Sequence, residues 1–176
     1  IYGTTYTVLA SNGTCSSARS AVVATVTITA TPSGSANQTF CPGETVGQIV
    51  TNGIDVLWYN APTGGVPLPS STLIVANTTY YASQTLNGGC ESTTRLAVTV
   101  SVTDPATPTT TDTTQDFCLV NAPTFASIQT NETNVVWYNT ATGGTAIPAT
   151  TLLTSDTYYA ALLDATTSCE SSVRLA

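Results

Sequence analysis

Thr79-Tyr80-Tyr81-Ala82-Ser83-Gln84-Thr85-Leu86 runs into Asn87-Gly88 and, past Cys90, into Arg95-Leu96-Ala97-Val98-Thr99-Val100-Ser101-Val102. In the second run Leu96, Val98, Val100 and Val102 alternate with Arg95, Ala97, Thr99 and Ser101. A period of two sends one set of side chains into a core and the other to solvent, which is strand geometry. Asn-Gly between two such runs is the strongest short hairpin signal, because both residues accept the positive φ of a tight turn. The segment therefore predicts adjacent antiparallel strands from Thr79 to Leu86 and from Arg95 to Val102. Upstream, Val56-Leu57-Trp58-Tyr59, ended by Ala61-Pro62-Thr63-Gly64-Gly65, predicts a short strand, and Leu73-Ile74-Val75 predicts another.

The same pattern recurs along the chain. Thr79-Tyr80-Tyr81, Cys90 and Arg95-Leu96-Ala97 have counterparts in Thr157-Tyr158-Tyr159, Cys169 and Arg174-Leu175-Ala176. An earlier copy reads Thr5-Tyr6, Cys15 and Arg19. Leu57-Trp58-Tyr59-Asn60 with Thr63-Gly64-Gly65 matches Val136-Trp137-Tyr138-Asn139 with Thr142-Gly143-Gly144, and Phe40-Cys41 matches Phe117-Cys118. Proline, threonine and serine gather at Thr29-Ala30-Thr31-Pro32-Ser33-Gly34 and at Thr103-Asp104-Pro105-Ala106-Thr107-Pro108, short linkers that proline stiffens. The organisation expected is the tail of one repeat over 1–31, a whole repeat over 32–103, and a third lacking its last strand over 104–176. Several short strands with regular turns point to an all-β chain of tandem β-sandwich repeats in a rod.

Composition narrows the function. Charged residues make up 7% of the chain and the formal net charge is −7. Nucleic-acid binding needs a basic stripe to displace counterions, and docking on anionic lipid needs one too, so both are set aside. No apolar run is long enough to insert in a membrane. The chain reads as a piece from within a longer polypeptide, with targeting signals outside it. With no histidine, neither a Ser-His-Asp triad nor a Cys-His pair can form, and the five cysteines show no metal-binding spacing. Asp112 and Asp116, or Asp156 and Asp164, could lend oxygens to calcium, but no loop gathers the six to eight that calcium takes. The expectation is an ordinary non-enzymatic segment with no metal and no cofactor.

Widely spaced cysteines suit structural disulfides in an oxidising compartment. Their matched places in the repeat pair Cys41 with Cys90 and Cys118 with Cys169. Each bond would close a loop of about 50 residues and contribute about 4 kcal/mol in the chain-entropy model. Cys15 is then expected to pair with a cysteine preceding Ile1, or to stay free or bond another molecule. Trp58 and Trp137, and Tyr80 and Tyr158, occupy equivalent positions and read as core, with a sugar-stacking platform as the alternative for the tryptophans. Arg19, Arg95 and Arg174 are all the positive side chains in the sequence and hold one repeat position. They are expected to pair with a carboxylate or stack on an aromatic ring, with repeated ligand contact as the other possibility.

The series Cys41, Trp58-Tyr59-Asn60, Thr63-Gly64-Gly65, Thr79-Tyr80-Tyr81, Gly89-Cys90 and Arg95 resembles the immunoglobulin-like repeats of giant Bacteroidetes surface proteins exported by type IX secretion. These include the gliding-motility adhesins of flavobacteria. The resemblance implies extracellular display at the bacterial cell surface, an adhesive stalk or filament, and contact with neighbouring repeats, surface polysaccharide or other adhesin chains. It also implies that Asp112-Thr113-Thr114 resembles an O-glycosylation signal, making Thr113 a candidate glycan site. Asn12, Asn37, Asn77 and Asn131 lie in N-x-Thr sequons that a threonine-rich chain forms by chance. Two other functions fit the sequence: a carbohydrate-binding module, and an accessory region of a secreted hydrolase.

Overall fold

The computed structural model describes residues 2–86 and 89–176, so the Asn87-Gly88 turn lies outside the described residues. The chain is all-β, with strands β1 (Tyr2–Val8), β2 (Ser20–Val26), β3 (Asn37–Phe40), β4 (Leu57–Tyr59), β5 (Thr78–Ser83), β6 (Leu96–Val102), β7 (Val135–Tyr138) and β8 (Tyr159–Leu162). Single 3-10 turns at Val46–Gln48, Leu119–Asn121 and Phe125–Ser127 are the helical elements among the described residues. Contacts divide the chain into two compact units. One comprises Ile1–Ala36, Ile49–Ser70 and Thr79–Val98, and the other Asn37–Gln48, Ser71–Thr78 and Thr99–Ala176.

In the first unit β1 and β2 pair antiparallel from Tyr2 opposite Val26 to Val8 opposite Ser20, and this hairpin is exposed from Gly3 onward. β4 pairs antiparallel with β5, Trp58 opposite Ala82, and β6 lies on the other side of β5. Ile49, Trp58, Tyr59, Tyr80, Ala82 and Val98 form the buried apolar set. The alternation along β6 emerges as expected: Val98 and Val100 are buried while Ala97, Thr99 and Ser101 are exposed. The segment entering the second repeat is stitched down by polar contacts. Thr29 Oγ1 donates to the Cys90 carbonyl at 2.6 Å, and Gln84 Nε2 donates to the Ala30 carbonyl at 2.9 Å. The Thr31 and Thr94 hydroxyls hydrogen-bond. Gly53 leaves room for this segment, since a Cβ there would fall 2.9 Å from Pro32 Cβ.

In the second unit β3 runs parallel to the end of β6, with Asn37 opposite Thr99 and Phe40 opposite Val102. The Thr103 N–H continues the ladder to the Phe40 carbonyl at 2.9 Å. β7 and β8 pair antiparallel, Trp137 opposite Ala160. Phe125 presses its ring edge onto Tyr158 with centroids 4.6 Å apart and lies 6.1 Å from Trp137. Leu73-Ile74-Val75 is not a strand: Leu73 makes an isolated bridge to Thr45, and Leu73 and Val75 are exposed. The same bridge recurs between Thr124 and Leu152.

The disulfide corrects the expected pairing. Cys41 is bonded to Cys169, 128 positions away, with Cα atoms 5.1 Å apart, whereas Cys90 and Cys118 are exposed free thiols, as is Cys15. Strand direction explains the difference. Cys41 follows a strand registered parallel against the last residues of β6, while Cys90 precedes the first residue of β6. A seven-residue strand is about 23 Å long, far beyond the roughly 7 Å between Cα atoms that a disulfide tolerates. Beyond β6 the chain enters the second linker, where the Asp104 carboxylate accepts from the Ser172 N–H at 2.9 Å and the Ser172 hydroxyl at 2.7 Å. Ser172 lies three residues past Cys169, so Cys41 leaves β3 beside the next repeat's hairpin. Cys169 is buried at 2% exposure.

The bond should stabilise the second unit by about 5 kcal/mol through the loop it closes. Replacing both Cys41 and Cys169 by alanine is expected to lower the urea midpoint sharply, while Cys90→Ser and Cys118→Ser leave it within experimental scatter. Equal losses from all four positions would contradict the assignment.

Candidate functional site

The most elaborate polar constellation occurs twice. Tyr59, the last residue of β4, donates its phenol to Glu91 Oε1 at 2.8 Å. The Arg95 guanidinium lies 3.3 Å over the Tyr59 ring, and Arg95 Nη1 donates to the Ala61 and Gly64 carbonyls, each at 2.8 Å. In the next repeat Tyr138 donates to Glu170 at 2.7 Å, and Arg174 lies 3.3 Å over the Tyr138 ring. Its Nη1 donates to the Thr140 and Gly143 carbonyls at 2.9 and 2.7 Å. The displacement is 79 positions throughout: 59 to 138, 91 to 170, 95 to 174 and 64 to 143.

Local sequence builds each box. A tyrosine ends the short strand, and a Gly-Gly loop follows in which Gly64 and Gly65 have φ of 65° and 78°. That left-handed backbone costs a glycine nothing and exposes loop carbonyls to one donor. Arginine suits the central place because its planar fork can stack on a ring and donate along its edge at once. Burial first, then the hydrogen bond to Glu91, raises the Tyr59 phenol above its ordinary pKa. Burial and Glu170 do the same to Tyr138. The neighbouring Ser83 hydroxyl, then the Tyr59 phenol, hold the Glu91 carboxyl below its usual range, with Arg95 adding to the effect. Ser83 Oγ is fully buried and makes no hydrogen bond of standard geometry. A neutral phenol, an anionic carboxylate and a cationic guanidinium thus satisfy one another. The box contains no activated nucleophile. It is a clasp joining β4, the glycine loop and the start of β6.

Arg95 and Arg174 sit at the centres of these boxes, while Arg19 is exposed. Tyr59 and Tyr138 were matched from sequence as repeat positions but were not joined to Glu91 and Glu170. Their signal was present, since a glutamate follows each of Cys90 and Cys169 and a tyrosine follows each tryptophan. Trp58 is 7% exposed and Tyr80 is buried. Trp137 is half-buried and lines, with Phe117, Leu153 and Tyr158, an open groove of about 710 Å³. The Tyr158 hydroxyl donates to the Thr154 carbonyl at 3.0 Å. Thr113 is exposed on the rim of the same groove, beside the turn in which Asp112 Oδ1 accepts from the Thr114 N–H at 3.0 Å. Asp164, considered above for calcium, instead accepts from the Thr166 and Thr167 N–H groups at 2.9 and 2.7 Å. Among the described residues no three His, Cys, Asp or Glu side chains gather as a metal site, and no helix is long and apolar enough to cross a membrane.

Because its folded pKa is lowered, Glu91 adds stability above the ordinary carboxylate pKa of about 4.3 and loses it as pH falls through the folded value. Glu91→Gln is expected to flatten that acid-side slope in pH-dependent urea melts. Tyr59→Phe should cost about 1–2 kcal/mol at neutral pH through the lost hydrogen bond. An unchanged acid slope in Glu91→Gln would show that the clasp contributes nothing.

No curated protein matches the chain. Residues 30–103 match the family model described as an Ig-like domain, CHU_C associated, and the all-β strands of this stretch are consistent with an immunoglobulin-like β-sandwich.

Proposed function

We propose that the chain is a structural and adhesive repeat segment of a large secreted bacterial surface protein, a disulfide-stapled spacer with no catalytic role. The observation that carries this reading is the Cys41–Cys169 bond, which ties the opening strand of one repeat to the closing hairpin of the next. Pulling force that enters at Cys41 passes to Cys169 without loading the residues between. The bond also speaks for an extracellular or secreted setting, since disulfides persist in oxidising compartments. Both linkers are hydrogen-bonded to the following hairpin, Thr29 at Cys90 and Asp104 at Ser172, which opposes free swivelling at each junction. Adhesion, display at the outer membrane and a role in gliding or surface attachment are the setting that the repeat pattern supports. The partners would be neighbouring repeats and surface polysaccharide or further adhesin chains.

Stretching the chain by its ends in an optical trap tests the spacer. The 128 positions inside the bond correspond to about 430 Å of extended backbone, so reductant should release roughly that additional length. Equal extension with and without reductant refutes the reading, as would hydrolytic activity in the purified chain.

One observation favours carbohydrate binding instead: Trp137 faces an open groove shared with Phe117 and Tyr158. Adding soluble polysaccharide should then shift tryptophan emission in the parent chain and not in Trp137→Phe. Identical emission with and without polysaccharide removes that reading.

A further inference from the structure

Directly after β3, Cys41-Pro42-Gly43-Glu44 turns back on itself. The Glu44 N–H donates to the Cys41 carbonyl at 3.4 Å, and Gly43 has φ of 84°. Proline at the second place and a left-handed glycine at the third are the marks of a type II turn. The turn carries its own last side chain back to its start, where the Cys41 N–H donates to Glu44 Oε2 at 2.6 Å. Glu44 Oε1 is held as well: it accepts from Gln48 Nε2 at 3.1 Å, while Gln48 Oε1 accepts from the Thr45 N–H at 2.7 Å. With both oxygens held, the carboxylate cannot swing away from the bonded cysteine. Cys41 Sγ is three bonds from the nitrogen that Glu44 binds, which puts the carboxylate within about 7 Å of the sulfur. We propose that Glu44 is an electrostatic guard of the Cys41–Cys169 bond, slowing its reduction by anionic thiols and leaving it open to cationic ones.

The two sulfurs are not equally open to attack. Cys169 is 2% exposed, whereas Cys41 is half-buried, so a thiol arriving from solvent meets the Cys41 sulfur. That is the sulfur beside the carboxylate. Both groups that hold Glu44, the Cys41 N–H and the Gln48 amide, are neutral, so its charge is not cancelled. A separation of about 7 Å lies inside the Debye length of about 8 Å at physiological salt, so the repulsion persists there and fades as salt is added. The turn itself does not call for an acid. Cys118–Asn121 closes over the same span, the Asn121 N–H donating to the Cys118 carbonyl at 3.0 Å, and a neutral asparagine stands where Glu44 does.

The reductant is a small-molecule thiol, and the guard acts on both steps of the exchange. A first thiolate attacks Cys41 Sγ, the bond to Cys169 breaks, and Cys169 leaves as a thiolate. A second thiolate attacks the small-molecule sulfur of the mixed disulfide and displaces the Cys41 thiolate. Two small thiols are oxidised to one disulfide, the protein disulfide is reduced to two thiols, and the protons of the small thiols end on Cys41 and Cys169. Glu44 repels an anion approaching in the first step and disfavours the negative charge that develops on Cys41 in the second.

The test uses the full chain with its unbonded thiols removed as C15S/C90S/C118S, which leaves the Cys41–Cys169 bond to be reduced. Reduction is timed by alkylation and mass spectrometry with cysteamine, whose thiolate form is a zwitterion, and with glutathione, whose thiolate form is a dianion, at equal thiolate concentration. The ratio of the cysteamine to the glutathione rate constant should fall about fivefold when E44Q is added at low ionic strength. In the background without E44Q the same ratio should fall as salt is raised to about 1 M. Adding D55N instead removes one negative charge outside the turn and should leave the ratio unchanged. A turn merely loosened by substitution would speed both thiols alike, so the ratio separates charge from structure. An unchanged ratio in E44Q, a D55N effect as large, or a ratio insensitive to salt would overturn the proposal. Any of these leaves the spacer standing, because extension in the trap depends on the bond being present and not on how fast each thiol reduces it.

Discussion

Four residues of parallel pairing govern the arrangement. Asn37–Phe40 lie beside Thr99–Val102, and the direction of that pairing sends both chains out at the same end. One exit leads to the linker and the next repeat, and the other places Cys41 where the next hairpin begins. Had β3 run antiparallel to β6, Cys41 would have emerged toward Cys90, and each repeat would have closed on itself. Bond topology therefore follows from strand direction, and coupling between repeats follows from bond topology.

Sparse charge shapes the rest. With three arginines against ten carboxylates, the chain cannot cover its surface with ion pairs. Two of the arginines are turned instead to backbone carbonyls and tyrosine rings, where the cation organises a loop. Threonine and asparagine perform much of the remaining polar work at turns and linkers, through short hydroxyl and amide contacts such as Thr110 Oγ1 to the Gln129 carbonyl at 3.0 Å. Such contacts need little side-chain ordering compared with long charged groups.

Much of the fold was legible because it rests on period and position. The alternation in Leu96–Val102 gave both strand and buried face, and β5 and β6 are neighbours as the Asn-Gly signal required. The cysteine partners were not legible, since spacing along the chain carries no information about which way β3 runs. Trp58 and Trp137 show another boundary of pattern. They share a repeat position, yet Trp58 is buried while Trp137 is half-buried and lines the open groove. Burial depends on what covers a side chain, and repeat position alone does not supply the cover. The tyrosine–glutamate half of the clasp was written in the sequence at constant displacement, but each partner is an ordinary residue until geometry joins them.

The bond from Cys41 to Cys169 has one more consequence, for survival among proteases. It turns most of the chain into a covalent ring. A single cut at any exposed loop between these cysteines, such as 61–66 or 140–145, opens the ring without releasing a fragment. Both ends stay tethered, and the packed strands hold the nicked loop near its native place. A chain built this way survives a first cut inside the ring, and two cuts there are needed to release a fragment from it.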